Sequence, residues 1–410
     1  MNFETAAVHA GSIKDSTGAT HAPVYQSASF AYEKAGEIEC VFQGKKFGYV
    51  YSRISNPTVT AFELRMNALE GGIGAIATSS GMSAIATTAF TLAENGSEIV
   101  ASKSLFGGTY LFFKEILESS GVKVIYADFN SADDIESSIS ERTRFLFLES
   151  ISNPKLEIYD LKKISATARK YNLPLVVDNT VTTPYLWRAK DFGADIIIHS
   201  ATKYITGNGT AVGGVLIDTG NYKWNSHQST KIKSYAGKAG SFAFIAAARS
   251  KVYQHLGFAP APQNVFFHLL GLETLALRME RHCSNALKLA EFFREQPKIT
   301  SVNYPGLNDN RYRQAALRQF GDRYGGLLTI ELEGREKCFD LIDNLKYAKN
   351  LANIGDTKTL IIHPESTIYS NCSGDEKSNA GVNSRLLRIS VGIENINDII
   401  EDFSSALEKI

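Results

Sequence analysis

Between residues 61 and 218, short apolar runs at 74–79, 98–102, 122–126, 144–149, 175–178, 195–199 and 214–218 alternate with stretches of helical period. A helix that follows a strand must bury its apolar stripe against the sheet, and repeating the unit covers both sheet faces. The stretch therefore predicts a doubly wound α/β domain. In such a domain the loops leaving the carboxyl ends of the strands gather at one sheet edge, where ligands bind.

A long helical pattern over 264–293, strands near 300–304, 326–333 and 385–391, and a closing helix at 397–408 predict a second, smaller α+β domain. With 410 residues and 44% hydrophobic content, the chain can fill both cores. Residues 1–58 are rich in Gly, Pro, Ser and Tyr and predict an extended arm with short helices. The expected boundaries are 1–60 for the arm, 61–255 for the α/β domain and 256–410 for the C-terminal domain. The irregular stretch 221–262 reads as a connection between domains, with a mobile cover over the ligand site as the alternative.

The strand at 195–199 runs into His199-Ser200-Ala201-Thr202-Lys203-Tyr204-Ile205-Thr206-Gly207-Asn208-Gly209. A lysine after a strand is ordinarily a solvated surface group. Here Ser200 and Thr202 offer hydroxyl donors to an anion, and Gly207 and Gly209 let the backbone approach a ligand closely. A lysine beside a phosphate site suggests Schiff-base chemistry with pyridoxal phosphate. The strand at 175–178 ends in Asp178, the carboxylate a pyridinium nitrogen needs to stay protonated. Ser79-Ser80-Gly81-Met82 enters a helix from a strand; alone it is a helix cap, and beside Ser200 and Thr202 it completes a phosphate cup.

The totals exclude other classes. Forty-three basic residues balance 43 acidic ones, which argues against nucleic acid as a partner. The four cysteines have neither CxxC nor Cys/His spacing, so no disulfide framework and no metal site are expected. No secretory leader and no membrane span are expected either, which makes the cytoplasm the expected location. His268 and His282 have no partner at ligand spacing and read as structural.

Val177-Asp178-Asn179-Thr180, Thr183-Pro184-Tyr185-Leu186 and His199-Ser200-Ala201-Thr202-Lys203-Tyr204 together resemble the signature of the pyridoxal-phosphate enzymes of cysteine and methionine metabolism. That family includes cystathionine synthases and lyases, methionine γ-lyase and the O-acetylhomoserine sulfhydrylases. The resemblance covers nearly the whole chain. It implies the type I, aspartate-aminotransferase-like fold and a homo-oligomer, expected here as a homotetramer built from two dimers. It also implies that Lys203 carries the cofactor and acts as catalytic base. Asp178, Gly81, Met82, Ser200, Thr202 and Asn153 are implied to contact the cofactor, and Phe106 to stack on its ring.

An isolated Tyr-x-Arg is ordinarily a surface pair, but the resemblance implies that Tyr51 and Arg53 reach the cofactor phosphate of a neighbouring subunit, a task suited to arginine's planar fork. Asn153 and Arg388 are implied to hold the substrate. Arg388 takes that role over Arg385 because it occupies the Leu-Arg-x-Ser-Val-Gly position.

Three features bear on which reaction is run. Most relatives carry tyrosine at Phe106, and phenylalanine supplies a flat apolar face without a hydroxyl. Methionine γ-lyases carry cysteine at Gly108, and Gly355-Asp356-Thr357-Lys358 resembles the sulfhydrylase form of its segment. Together these favour γ-replacement in methionine biosynthesis: O-acetyl-L-homoserine plus sulfide, or methanethiol, giving L-homocysteine, or methionine, and acetate. A leaving group on Cγ requires that protons leave both Cα and Cβ, and Lys203 is the base for both. The alternatives are a cystathionine γ-synthase or O-succinylhomoserine sulfhydrylase, a γ-lyase acting on methionine or cystathionine, and a cofactor-binding protein without catalysis.

Overall fold

The computed structural model describes residues 1–12 and 16–410. Seven strands, β1 (Gly74–Thr78), β2 (Glu98–Ser102), β3 (Lys123–Ala127), β4 (Thr143–Glu149), β5 (Leu175–Asp178), β6 (Ile196–His199) and β7 (Gly214–Asp218), form one sheet in the order β1-β7-β6-β5-β4-β2-β3. Strand β7 runs antiparallel to both neighbours and every other pair is parallel. Each lies within one residue of its expected limits. Alternate residues serve two cores: Val177, Ile197 and Ile217 pack on one sheet face, and Val176, Ile196, Ile198 and Leu216 on the other. Burial on both faces explains why these strands read as unbroken apolar runs.

Local signals set the helix limits as well. The helix Pro57–Glu70 starts where the Asn56 side chain accepts the Thr58 N–H at 2.9 Å, has proline at its first position, and stops at Gly71, whose φ is +68°.

A second sheet holds β8 (Ser301–Asn303), β9 (Leu327–Glu331), β10 (Lys349–Asn350), β11 (Leu360–Ile362) and β12 (Leu386–Ser390) in the order β10-β11-β12-β9-β8. Only the β10–β11 pair is parallel. Strand β12 is central and buried throughout, and helices Leu275–Arg294, Arg335–Asn344 and Ile396–Glu408 pack around this sheet. Strands β10 and β11 have no counterpart in the sequence reading, because two and three residues are too few to show a period.

Two other expectations change. The helical pattern over 264–293 is two helices, Pro262–Glu273 and Leu275–Arg294. At the break the Thr274 hydroxyl accepts from Arg278 Nε at 3.2 Å, and Arg278 also donates to the Gly271 carbonyl at 2.6 Å, so side chains take over bonds that a continuous helix would make. The stretch 221–262 is neither a connection nor a cover. Its helices Thr230–Ala239 and Ala243–Ala247 pack on each other, and the first also packs on helix Gly81–Leu92, which makes them part of the large domain's outer layer. Trp224 stacks on Phe244 at 4.8 Å, and Arg249 grips both oxygens of Glu63 at 2.8 and 2.9 Å.

His268 and His282 are buried, bonded through Nδ1 to Thr206 Oγ1 and to the Val391 carbonyl at 2.6 Å each. Burial lowers both to a pKa of about 4, so both are neutral structural groups. No helix among the described residues is long and apolar enough to cross a membrane.

Candidate active site

A cavity of about 270 Å³ lies at the carboxyl edge of the seven-stranded sheet, with the second domain as its far wall. Strands β5 and β6 end side by side, so Asp178 and the loop carrying Lys203 leave the sheet together. Asp178 Oδ1 accepts the Thr180 N–H at 3.0 Å, and Thr180 Oγ1 accepts the Ser200 N–H at 2.8 Å, which ties the two loops. Burial raises the pKa of Asp178 against the bonds from Thr180, and no Lys or Arg pairs with it among the described residues. A carboxylate so placed lacks a cationic N–H partner.

The anion cup is built by close packing. Ser80 caps helix Gly81–Leu92 by accepting the Ser83 N–H at 3.1 Å. A Cβ on Gly81 would lie 2.7 Å from Ser200 Cβ, so only glycine lets the positive end of this helix close on Ser200. The Thr202 hydroxyl is engaged with the backbone of Gly213, donating to its C=O and accepting from its N–H at 3.1 Å each. Ser200 and Met82 line the cavity beside it.

Lys203 Nζ donates to Asn353 Oδ1 at 2.6 Å. Burial, then the charge of Arg388, lowers its pKa to about 8, which brings the free amine within reach of neutral pH. Arg388 is 3% exposed. It donates through Nη1 to Asn153 Oδ1 and through Nη2 to the Asn353 carbonyl, both at 3.1 Å. Its Nε has no partner, no carboxylate pairs with it among the described residues, and burial lowers its pKa to about 10. A buried guanidinium with an open donor and no counter-ion is suited to receive a ligand carboxylate.

Phe106 lines the cavity, and a Cβ on Gly108 would fall 2.7 Å from its Cε1, so a side chain at Gly108 would require the ring to turn. Two departures from the family pattern that look separate in sequence thus share one space. The Gly355-Asp356-Thr357-Lys358 segment does not line the cavity. It braces the loop behind Lys203: the Thr357 N–H donates to the Gly207 carbonyl at 2.7 Å, and Asp356 pairs with Lys358 at 2.9 Å.

Tyr51 and Arg53 lie outside the cavity of their own chain. Tyr51 is 44% exposed, and the Arg53 guanidinium sits 5.4 Å from its ring centroid while donating to the Gln254 carbonyl at 2.5 Å. The other nine residues predicted for the site all line the cavity. Asn353, Glu149 and Tyr369 were not predicted. Asn353 and Glu149 line the cavity, and the Tyr369 hydroxyl lies 3.2 Å from the carbonyls of both Leu105 and Asn153. Asn353 stands in a recognised segment and Glu149 at a strand end, but no spacing marks either one.

These groups fit pyridoxal phosphate: a helix N-terminus with hydroxyls for the phosphate, a carboxylate for the ring nitrogen, an amine, a flat apolar face, and a separate guanidinium for an amino-acid carboxylate. A family model described as Cys/Met metabolism PLP-dependent enzyme matches residues 4–408. The O-acetyl-L-homoserine sulfhydrylase of Leptospira meyeri is 40% identical, over 99% of this chain and 97% of its own. The L-methionine gamma-lyase of Fusobacterium nucleatum subsp. polymorphum is 36% identical, over 99% of this chain and 98% of its own. A Campylobacter jejuni protein assigned as an O-acetylhomoserine (thiol)-lyase, solved with a pyridoxyl-lysine monophosphate in its chain, matches over 100% of both chains with a TM-score of 0.96 and 34% identity.

Proposed function

This chain belongs to the pyridoxal-phosphate-dependent enzymes of cysteine and methionine metabolism, and from that premise we propose that it exchanges the acetate of O-acetyl-L-homoserine for sulfide, giving L-homocysteine. The observation that carries the choice of substrate is the charge of the cavity. Lys203 and Arg388 are the only Lys or Arg among the described residues that line it, and each has a task. An acetyl ester adds no charge, whereas a succinyl ester brings a second carboxylate with no cation to receive it. Met82, Ile85, Val212, Ile354 and Ile368 supply apolar wall instead.

In this reading Arg388 and Asn153 hold the substrate α-carboxylate, and Asp178 holds the proton on the ring nitrogen. When bound, pyridoxal phosphate supplies the electron sink that makes the substrate's Cα and Cβ protons removable. Lys203 Nζ would take the proton from Cα, hand it on to the bound cofactor and, as a free amine again, take one from Cβ, a role its lowered pKa suits; both protons return to the substrate carbons after sulfide adds. Acetate leaves from Cγ without needing protonation, so the absent hydroxyl at Phe106 costs this reaction little, and sulfide takes the vacated position. Gly81, Met82 and Ser200 hold the phosphate, joined by Thr202 when its hydroxyl turns from the Gly213 carbonyl to the ligand. We assign Tyr51 and Arg53 to the phosphate of a second copy, in a homotetramer of two dimers; the exposure of Tyr51 supports this. The cytoplasm and methionine biosynthesis are the proposed setting.

The similarity to a methionine γ-lyase keeps a second reading in view, and Gly108 counts against it. A substrate panel with product identification decides. Homocysteine and acetate from the acetyl ester and sulfide, at the highest kcat/KM, is the expected result, with methanethiol as a second donor giving methionine. Preference for O-succinylhomoserine with cysteine would replace this reading with a synthase, and dominant 2-oxobutanoate from methionine would replace it with a lyase.

A further inference from the structure

Glu149 closes β4 with its side chain on the cavity wall, and the chemistry above does not use it. It is 6% exposed and has no Lys or Arg partner among the described residues. A buried carboxyl without a counter-ion is costly unless hydrogen bonds hold it. Here one oxygen accepts the Phe106 N–H at 2.6 Å and the other accepts the Asn153 N–H at 3.2 Å. Those peptide groups belong to different loops, one after β2 and one after β4, strands that are neighbours in the sheet. The two loops carry the aromatic face on one side and, on the other, the amide that receives Arg388 Nη1 at 3.1 Å. In the parallel register Glu149 stands directly beside Asp178, so two carboxyl groups leave adjacent strands at the same edge.

We propose that Glu149 is a positioning residue that sets the width of the cofactor slot: the two oxygens of one carboxyl group hold the backbones of Phe106 and Asn153, fixing the aromatic face relative to the Asn153–Arg388 pair. The inference rests on the reading of this cavity as a pyridoxal-phosphate site. Burial, and then the negative charge of Asp178, raise the pKa of Glu149 well above the usual carboxylate range, while the two N–H bonds oppose the rise. Asp178 is raised by burial as well, and the two N–H bonds favour the form of Glu149 in which both of its oxygens accept.

The test compares wild type with Glu149→Gln and Glu149→Asp. Glutamine keeps the size but turns an amide NH₂ toward one of the two N–H donors; aspartate is one methylene too short to span both. In the cofactor-free chain, amide hydrogen exchange at Phe106 or Asn153 should quicken by about tenfold or more in each variant, at the amide whose acceptor is lost. In the loaded chain, the visible circular dichroism of the bound cofactor should change, and kcat should fall about 10- to 100-fold with a smaller change in KM. Unchanged exchange at both amides, or an unchanged dichroism and kcat with only a lowered Tm, would overturn the assignment. If neither variant folds, Glu149 is a determinant of the fold and the positioning role is likewise overturned. A wild-type chain that binds no pyridoxal phosphate sinks the reading of the site itself, whereas binding with unaffected variants sinks only this inference.

Discussion

The two halves of the cavity are assembled in different ways. The sheet-edge half takes Gly81, Phe106, Asn153 and Lys203 from the segments that follow β1, β2, β4 and β6, and Asp178 from the end of β5, so one register positions them all. The opposite half takes Arg388 from the middle of β12, and Asn353 and Ile368 from loops of the second sheet. Each half holds the key group of the other: Lys203 rests on Asn353 at 2.6 Å, and Arg388 rests on Asn153 at 3.1 Å. Further out, Tyr110 and Lys114 of the large domain grip Glu376 of the small one at 2.7 and 2.5 Å. Of these two halves, only the first should therefore bear on cofactor binding, and turnover should need both.

Removing the amine tests the first half most severely. Lys203→Ala should lower kcat by about a thousandfold or more while pyridoxal phosphate still binds non-covalently in the cup. Borohydride reduction of the wild-type holoenzyme should label Lys203, and a label on another lysine would break the comparison at its root. Next in size, Arg388→Lys should cut kcat/KM for the acetyl ester about a hundredfold, because an ammonium cannot make the two parallel bonds of the guanidinium fork. The affinity for pyridoxal phosphate should stay within about twofold; a parallel loss of cofactor would show that the halves are not separable.

A smaller effect is expected at the contact between the halves. Asn353→Ala removes the acceptor that holds Lys203 Nζ and should lower kcat about tenfold with the cofactor retained; unchanged kcat would mean that the small domain does not orient the lysine. The smallest is a pH effect on loading. Only the free amine can attack the cofactor aldehyde, and the Lys203 pKa is lowered from 10.5 to about 8, so below about 8 the protonated, inert form prevails. Capture of pyridoxal phosphate by the cofactor-free chain should quicken about threefold between roughly pH 7.5 and 8.5 and then level off. A rise centred near 10.5 instead would show that burial does not govern this lysine.

What could be read in the sequence follows from these same distances. Asp178 and Lys203 were legible because one ends an apolar strand and the other lies in the turn just after one, and a strand's carboxyl end is a local property. Arg388 was legible only through a family motif, since an arginine inside a buried strand otherwise has no distinguishing period. Glu149 and Asn353 were not legible as site residues. Glu149 takes its meaning from Phe106, 43 positions away, and Asn353 from Lys203, 150 positions away.

The sequence by itself determined the alternation of strands and helices, the limits of most elements and the two groups at strand ends, because hydrophobic period, caps and glycine turns act over a few neighbouring residues. Only the tertiary structure decided that the Gly355–Lys358 segment braces a loop instead of lining the cavity, and that Asn353 holds the lysine. Those outcomes depend on which chain segments pack within a few ångströms of one another, and packing is a property of the closed core that no local window of residues contains.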